Sequence, residues 1–131
     1  MDKIMKKILV VDDQKEVREL VEVTLRSGDF QIFQAKSGQE AVEVAKKEKP
    51  DLVIMDIMMP GDIDGLEATR LIKDGFSTMD CQVIMLTAKG QSTDIIKGLG
   101  AGADGYCTKP FSSLDLIEKV EEVLKKVKGC E

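Results

Sequence analysis

The chain contains no histidine among its 131 residues, and this absence excludes several kinds of active site. Ser-His-Asp and Cys-His catalytic groups need an imidazole as base, and every His-ligated zinc site needs one as ligand. Any metal bound here must therefore be held mainly by oxygen, which favours Mg²⁺ or a similar hard cation. The sequence also lacks a Gly-Lys-Ser/Thr loop, so it offers no means of binding ATP.

Cysteine is scarce, and positive charge does not dominate. The three cysteines are an odd number without Cys-x-x-Cys spacing, so we expect reduced thiols in a cytoplasmic protein. The net charge of −5 argues against a nucleic-acid binder, whose affinity depends mainly on phosphate neutralisation. The apolar run at 8–11 is too short for a signal-peptide core or a membrane span. The composition, 43% hydrophobic and 33% charged, is typical of one folded soluble domain.

Short apolar runs alternate along the chain with segments of helical periodicity. Strands are predicted at 7–12, 30–35, 51–56, 81–87 and 104–108. Helices are predicted at 14–27, from a Ser37 cap to about 49, at 66–74, at 92–99 and from a Ser112 cap onward. The buried stripe of the last helix is predicted to consist of Leu114, Ile117, Val120, Leu124 and Val127. This alternation predicts an α/β fold, in which five helices cover both faces of a parallel sheet.

The order of the strands follows from how apolar each one is. The first, third and fourth runs are continuously apolar and belong in the centre, whereas the second and fifth are mixed or short and belong at the edges. With right-handed crossovers, the order 2-1-3-4-5 satisfies these conditions and gives a doubly wound, flavodoxin-like fold. Its topological switch point lies between strands one and three, which places Asp12 and Asp13 beside Asp56.

Five polar residues lie at the carboxyl ends of these strands and should converge: Asp12, Asp13, Asp56, Thr87 and Lys109. Three carboxylates within about 5 Å repel by roughly 3 kcal/mol per pair at an effective dielectric constant of about 20. Lys109 offsets one negative charge, and a divalent cation would offset the other two. A carboxylate neutralised in this way can attack phosphorus, so Asp56 is predicted to form an acyl phosphate. Without an ATP loop, the phosphoryl group must arrive from another molecule.

The motifs around these residues resemble those of a response-regulator receiver (CheY-like) domain, over essentially the whole chain. They are Val-Val-Asp-Asp at 10–13, Asp-Ile-Met-Met-Pro at 56–60, Leu-Thr-Ala-Lys at 86–89, Gly-Ala-Asp-Gly-Tyr at 102–106 and Thr-Lys-Pro-Phe at 108–111. The resemblance implies a single receiver domain over 1–131, with its core at about 6–128. No output domain is expected, as in stand-alone response regulators.

The resemblance also implies a role for each residue of the predicted site. Asp56 would be the phosphoacceptor, and Lys109 would bind the phosphoryl group. Mg²⁺ would be held by Asp12, Asp13, Asp56 and the backbone carbonyl of Met58. The phosphodonor would be a histidine kinase or a histidine phosphotransfer protein.

Further expectations from the resemblance concern switching. Thr87 and Tyr106 would be the switch pair, and their movement would reshape the surface of helix 4, strand 5 and helix 5 for an unidentified downstream protein. The peptide bond between Lys109 and Pro110 is expected to be cis. Met58 and Lys89 would tune the lifetime of the phosphoryl group. The loop 61–64 is one residue longer than is usual in the family.

Two other functions compete with this interpretation. A Mg²⁺-dependent phosphohydrolase with an aspartate nucleophile normally has a second acid two residues after it, but Met58 stands there, so we do not expect an enzyme. A receiver-like interaction module that is never phosphorylated would not need the complete polar set. The sequence also contains a literal G-x-G-x-x-G at 100–105, which closes a helix and enters a strand. A dinucleotide site needs the reverse order, so we predict a helix cap and a tight turn.

Overall fold

The computed structural model describes residues 5–26, 28–88 and 92–127. Strands and helices alternate strictly within them, as predicted. The strands are β1 (Lys6–Val11), β2 (Phe30–Ala35), β3 (Leu52–Asp56), β4 (Gln82–Ala88) and β5 (Gly105–Lys109). The helices are α1 (Lys15–Leu25), α2 (Gly38–Glu48), α3 (Gly65–Asp74), α4 (Ser92–Gly100) and α5 (Ser113–Val127). None of these helices is long and apolar enough to cross a membrane.

All strand pairs are parallel, and the order is β2-β1-β3-β4-β5, which confirms the predicted topology. The central strand β3 is buried at every position, because helices cover both of its faces. In β1 and β3 the register sets Val11 beside Met55, so both strands end at the same edge of the sheet. The residues that follow β1 therefore lie next to the last residue of β3.

The core has one hydrophobic layer on each face of the sheet. Side chains of α2 and α3, such as Ala41 and Ile72, pack with Val53 and Met55 on one face. Side chains of α1 and α5 pack with Ile54 and its neighbours on the other face. Burial of each large aliphatic side chain contributes about 1.5–3 kcal/mol, so the two layers hold the sheet rigidly beneath its functional edge.

The predicted stripe of α5 is partly wrong. Val120 is buried, and Ile117 and Leu124 pack partly buried against the core, as predicted, but Leu114 is 63% exposed. Leu116 and Val123, which were not predicted, are buried. The side chain of Val127 lies outside the described part of the chain. Leu114 and Leu116 belong to adjacent stripes of the same helix, and Val120 fits the helical spacing of both. The stripe that faces the sheet depends on how the chain leaves β5, and periodicity alone does not contain this information.

The G-x-G-x-x-G segment is a helix end and a turn, as predicted. Helix α4 ends at Gly100, and β5 begins at Gly105. Gly102 adopts a left-handed backbone conformation with φ of 107°, which favours glycine. The segment therefore carries the chain from a helix into a strand, the reverse of what a dinucleotide-binding turn requires.

Candidate functional site

The three predicted carboxylates converge at the carboxyl edge of the sheet. Asp12 follows β1 directly, and Asp56 is the last residue of β3. Asp12, Asp13 and Asp56 can each place one carboxylate oxygen within 4.8 Å of the others. Asp12 is fully buried and Asp56 is 6% exposed, while Asp13 opens to solvent. The parallel register thus produces the carboxylate cluster that the sequence predicted.

Lys109, the last residue of β5, reaches into this cluster. Its Nζ lies 3.0 Å from Oδ2 of Asp12 and 3.3 Å from Oδ1 of Asp56, so one ammonium bridges two buried carboxylates. The peptide bond that follows, to Pro110, is cis, which confirms the expectation. Lys109 balances one of three negative charges and leaves the cluster with a net charge of about −2 if all three are ionised.

The negative charge of the three carboxylates exceeds the positive charge of Lys109. Burial raises the pKa of Asp56 from 3.8 to about 6, and the Asp12 charge acts in the same direction, against the opposing effect of Lys109. Burial by itself lowers the pKa of Lys109, but its hydrogen bonds and charge interactions with Asp12 and Asp56 outweigh this and raise it. Lys109 therefore stays protonated, while ionised Asp56 is costly without a further cation.

The backbone around Asp56 is tightly packed. The N–H of Met58 donates to Oδ1 of Asp56 over 3.3 Å, while the Met58 side chain is 71% exposed. A Cβ on Gly65 would stand 2.0 Å from the carbonyl oxygen of Asp56, so only glycine allows α3 to begin here. Asp64, the last residue of the loop 61–64, caps α3 by accepting from the Glu67 N–H over 2.9 Å.

The two predicted switch residues differ in environment. Thr87 in β4 is 1% exposed, and its Oγ1 has no hydrogen-bond partner among the described residues. Tyr106 in β5 is 40% exposed, and the Nζ of Lys119 lies 5.8 Å from the centre of its ring. Thr87 pairs with Thr108, which is two residues beyond Tyr106, so the two switch residues are on neighbouring strands. Lys89, the predicted modulator, lies outside the described residues.

Sequence reasoning missed one residue of the site. Arg18, one turn into α1, donates from Nη1 to the backbone carbonyl of Asp12 over 2.7 Å. Its Nε donates to Oε1 of Gln34 in β2 over 2.9 Å. An arginine on an amphipathic helix is usually a solvated residue, and the sequence contains no signal that it turns back toward the strand end.

The donor set of the cluster fits a hard divalent cation. All three groups are carboxylate oxygens, which Mg²⁺ prefers, and the described residues supply only one ammonium against them. The raised pKa of Asp56 shows that its environment disfavours the negative charge, and a bound cation relieves this.

Comparison with known proteins agrees with this geometry. The model of the response regulator receiver domain matches residues 8–121. The chain is 41% identical over 121 residues to the phosphate regulon transcriptional regulatory protein PhoB of Pseudomonas aeruginosa. That match covers 92% of this chain and 52% of the relative, so the chain spans about half the relative's length.

Solved structures lead to the same family. A crystal structure described as a response regulator of Chloroflexus aurantiacus has a TM-score of 0.88 at 34% identity, covering 93% of this chain and 99% of that one. Chemotaxis protein CheY4 of Vibrio cholerae has a TM-score of 0.85 at 29% identity, covering 92% and 99%. Receiver domains of this kind typically bind Mg²⁺ at an acidic pocket such as that of Asp12, Asp13 and Asp56. The chain belongs to the response regulator receiver domain family, whose members act as phosphorylation switches in two-component systems.

Proposed function

We propose that the chain is a switch in which Asp56 accepts a phosphoryl group from a phosphohistidine of a partner protein. The observation that supports this most is the position of Lys109, whose ammonium contacts Asp12 and Asp56, the two buried carboxylates of the acidic cluster. A cation bound by the nucleophile's neighbours offsets the charge that otherwise keeps a phosphoryl group away. A carboxylate in such a site is a competent nucleophile toward phosphorus.

The proposed reaction transfers one phosphoryl group between two proteins. An ionised oxygen of Asp56 attacks phosphorus as the P–N bond to the donor imidazole breaks, and the imidazole leaves with the bonding electron pair. The product is an acyl phosphate on Asp56. At neutral pH most of the Asp56 population is ionised, because its pKa of about 6 lies below 7. The carboxylate is therefore available for attack even before a metal binds.

Asp12, Asp13, Asp56 and the backbone carbonyl of Met58 are the proposed Mg²⁺ ligands. The metal would supply Lewis acidity, offsetting negative charge on the cluster and on phosphoryl oxygens. Lys109 is the proposed second cationic contact for those oxygens, since its ammonium already lies at the cluster. The exposed side chain of Met58 and residue Lys89 are proposed to affect hydrolysis of the acyl phosphate.

Thr87 and Tyr106 are proposed to read the state of Asp56. The hydroxyl of Thr87 is buried without a partner in the described part of the chain, so a phosphoryl oxygen would give it an acceptor. Movement of Thr87 would open space for the ring of Tyr106, which is now partly exposed. The surface of α4, β5 and α5 would change for a downstream protein partner. Coupling of this kind is typically about 1–3 kcal/mol, or roughly 5- to 150-fold in affinity.

We propose that the protein acts in the cytoplasm as a signalling component and does not catalyse the turnover of a substrate. The phosphodonor would be a histidine kinase or a histidine phosphotransfer protein, and neither nucleic acid nor membrane is a proposed partner.

Incubation with acetyl phosphate and Mg²⁺, followed by intact mass measurement, tests the proposal. One phosphoryl adduct is expected, absent without Mg²⁺ and absent in Asp56→Asn. Steady turnover of a small phosphate ester would instead indicate a phosphohydrolase.

Failure to detect an adduct has two explanations, which a second measurement separates. Beryllofluoride is a stable mimic of an aspartate-bound phosphoryl group. If it binds wild-type protein with Mg²⁺ but not Asp56→Asn, the adduct forms and hydrolyses fast. If neither Mg²⁺ nor beryllofluoride binds the folded protein, the chain is an interaction module that is not phosphorylated.

A further inference from the structure

The loop between β1 and α1 presents Asp13 to the acidic cluster, yet the Asp13 side chain has no hydrogen bond to any described residue. Its position must therefore come from the backbone on either side. The peptide before Asp13 contains the carbonyl of Asp12, which accepts from Nη1 of Arg18 over 2.7 Å. The peptide after Asp13 contains the N–H of Gln14, which donates to Oδ1 of Asp12 over 2.9 Å. Because each peptide is planar and rotates as a unit, a directional hydrogen bond to one of its atoms restricts the rotation of the whole peptide.

Arg18 is itself held from the opposite side. Its Nε donates to Gln34 in β2 over 2.9 Å, and the amide nitrogen of Gln34 donates to Glu22 over 2.6 Å. Gln34 lies beside Val10 in the sheet. Its hydrogen bond therefore fixes the guanidinium of Arg18 relative to the paired strands β1 and β2. An arginine fork bound at two edges loses little freedom when a ligand arrives.

We propose that Arg18 is a positioning residue that sets the direction of Asp13, and through it the affinity of the cluster for a divalent cation. The inference depends on the proposed function, because it concerns the same cluster. Groups that orient metal ligands typically change metal affinity by about 10- to 100-fold when they are removed. Arg18 would act on Asp13 through its hydrogen bond to the Asp12 carbonyl, without contacting the cation.

The sign of the effect separates positioning from simple charge. Arg18 is a cation near a cation site, so removing its charge alone should tighten Mg²⁺ binding. Loss of positioning should weaken it. Arg26 provides a matched control, because it lies at the C-terminal end of α1, is exposed, and changes the net charge equally in Arg26→Gln.

The test measures the Mg²⁺ dissociation constant by calorimetry for wild type, Arg18→Gln, Arg26→Gln and Gln34→Ala. We expect about 10-fold weaker binding in Arg18→Gln, a smaller loss of the same sign in Gln34→Ala, and no weakening in Arg26→Gln. Gln34→Ala keeps the net charge, so its loss reports geometry alone and serves as well if Arg18→Gln folds poorly. Equal or tighter binding in both Arg18→Gln and Gln34→Ala would overturn the inference.

A measurement without metal keeps this inference separate from the proposed function. In metal-free protein, the Gln14 amide should exchange with solvent faster in Arg18→Gln than in wild type, and at the wild-type rate in Arg26→Gln. If wild type binds no Mg²⁺ but the Gln14 exchange differs as expected, the proposed function fails while the positioning role of Arg18 stands. If wild type binds Mg²⁺ and Gln14 exchange is the same in all variants, the positioning role fails alone.

Discussion

The ammonium of Lys109 lies 3.0 Å from a carboxylate oxygen of Asp12, although the two residues are 97 positions apart in the chain. The contact joins the end of β5 to the end of β1 across the edge of the sheet. Asp12 is fully buried, so its charge depends on partners and not on water. The strand ends therefore bring three carboxylates together with one ammonium. The ammonium stabilises the cluster but does not neutralise it.

Replacing Lys109 should separate its structural role from its role in phosphoryl transfer. Lys109→Met leaves the Asp12 charge without its cation, so the metal-free free energy of unfolding should fall by about 2 kcal/mol or more. Mg²⁺ should bind more tightly, because a competing cation is gone. Adduct formation from acetyl phosphate should be slower. Urea denaturation, calorimetry and timed mass spectra measure the three effects.

Lys119→Met is the matched control for Lys109→Met, because both lysine side chains are 29% exposed. Lys119 pairs with Glu122 on the surface of α5, away from the cluster. The Lys119→Met variant should bind Mg²⁺ with the same affinity as wild type. Weaker Mg²⁺ binding in Lys109→Met would contradict the view that the ammonium and the metal share the same negative charge.

The pKa of Asp56 predicts how the stability of the metal-free protein depends on pH. Folding raises this pKa from 3.8 to about 6, so the folded protein holds the proton more tightly than the unfolded chain. The ionised group opposes folding fully above the folded pKa, and this penalty is lost progressively as the pH falls from about 6 to below the unfolded pKa of 3.8. Asp56→Asn should therefore be more stable than wild type by up to about 3 kcal/mol at about pH 8.

The difference between the two proteins should disappear by about pH 3, below the unfolded pKa of 3.8, where Asp56 is protonated in both folded and unfolded states. Urea denaturation in the presence of a chelator measures it, and subtracting the two curves removes the effect of the other carboxylates. A stability difference that stays constant across the pH range would show that the charge of Asp56 is not its cause.

Thr87→Val tests whether the unpartnered hydroxyl is kept for a phosphoryl oxygen. Valine has nearly the same shape and no buried polar group, so stability should be unchanged or higher by about 1 kcal/mol. Affinity for beryllofluoride should fall about 10-fold, since the donor is lost. Thr69→Val is the control, because Thr69 is equally buried but donates to Sδ of Met85. Equal beryllofluoride affinity in the two variants would remove Thr87 from the site.

Gly65→Ala tests the close approach of α3 to the nucleophile. The new Cβ would stand 2.0 Å from the Asp56 carbonyl oxygen, so the backbone must shift, at a cost of about 1–3 kcal/mol. Mg²⁺ affinity should fall as well, because Asp56 and Met58 move. Gly100→Ala, where the Cβ meets open space, should leave both quantities nearly unchanged. A Gly65→Ala protein with wild-type stability and affinity would show that the helix start relaxes freely.

The fold was largely predictable because its signals are local. A continuous apolar run such as 52–55 is buried on both faces only in the centre of a parallel sheet. Together with the mixed or short edge runs and right-handed crossovers, this orders the strands. The carboxylate cluster followed, since parallel strands end at one edge. Caps were also predictable where one side chain suffices: Ser37 accepts from the Glu40 N–H, and Ser112 from the Asp115 N–H.

What could not be predicted depends on contacts between distant segments. The α5 stripe was misplaced at Leu114, because two adjacent stripes have the same period. Arg18 could not be assigned to the site, because its acceptor is a backbone carbonyl whose direction is known only after folding. The role of Gly65 was invisible for the same reason, since it depends on the separation of α3 and β3.

Chemical mapping of the phosphorylated residue tests the proposed phosphoacceptor most directly. Borohydride reduces an acyl phosphate to the alcohol, so a phosphorylated aspartate becomes homoserine and can be located by peptide mass spectrometry. After incubation with acetyl phosphate and Mg²⁺, we expect homoserine at position 56 and none without Mg²⁺. Homoserine at Asp12 or Asp13 instead, or an unmodified Asp56 in protein that carries a phosphoryl adduct, would contradict the proposed site.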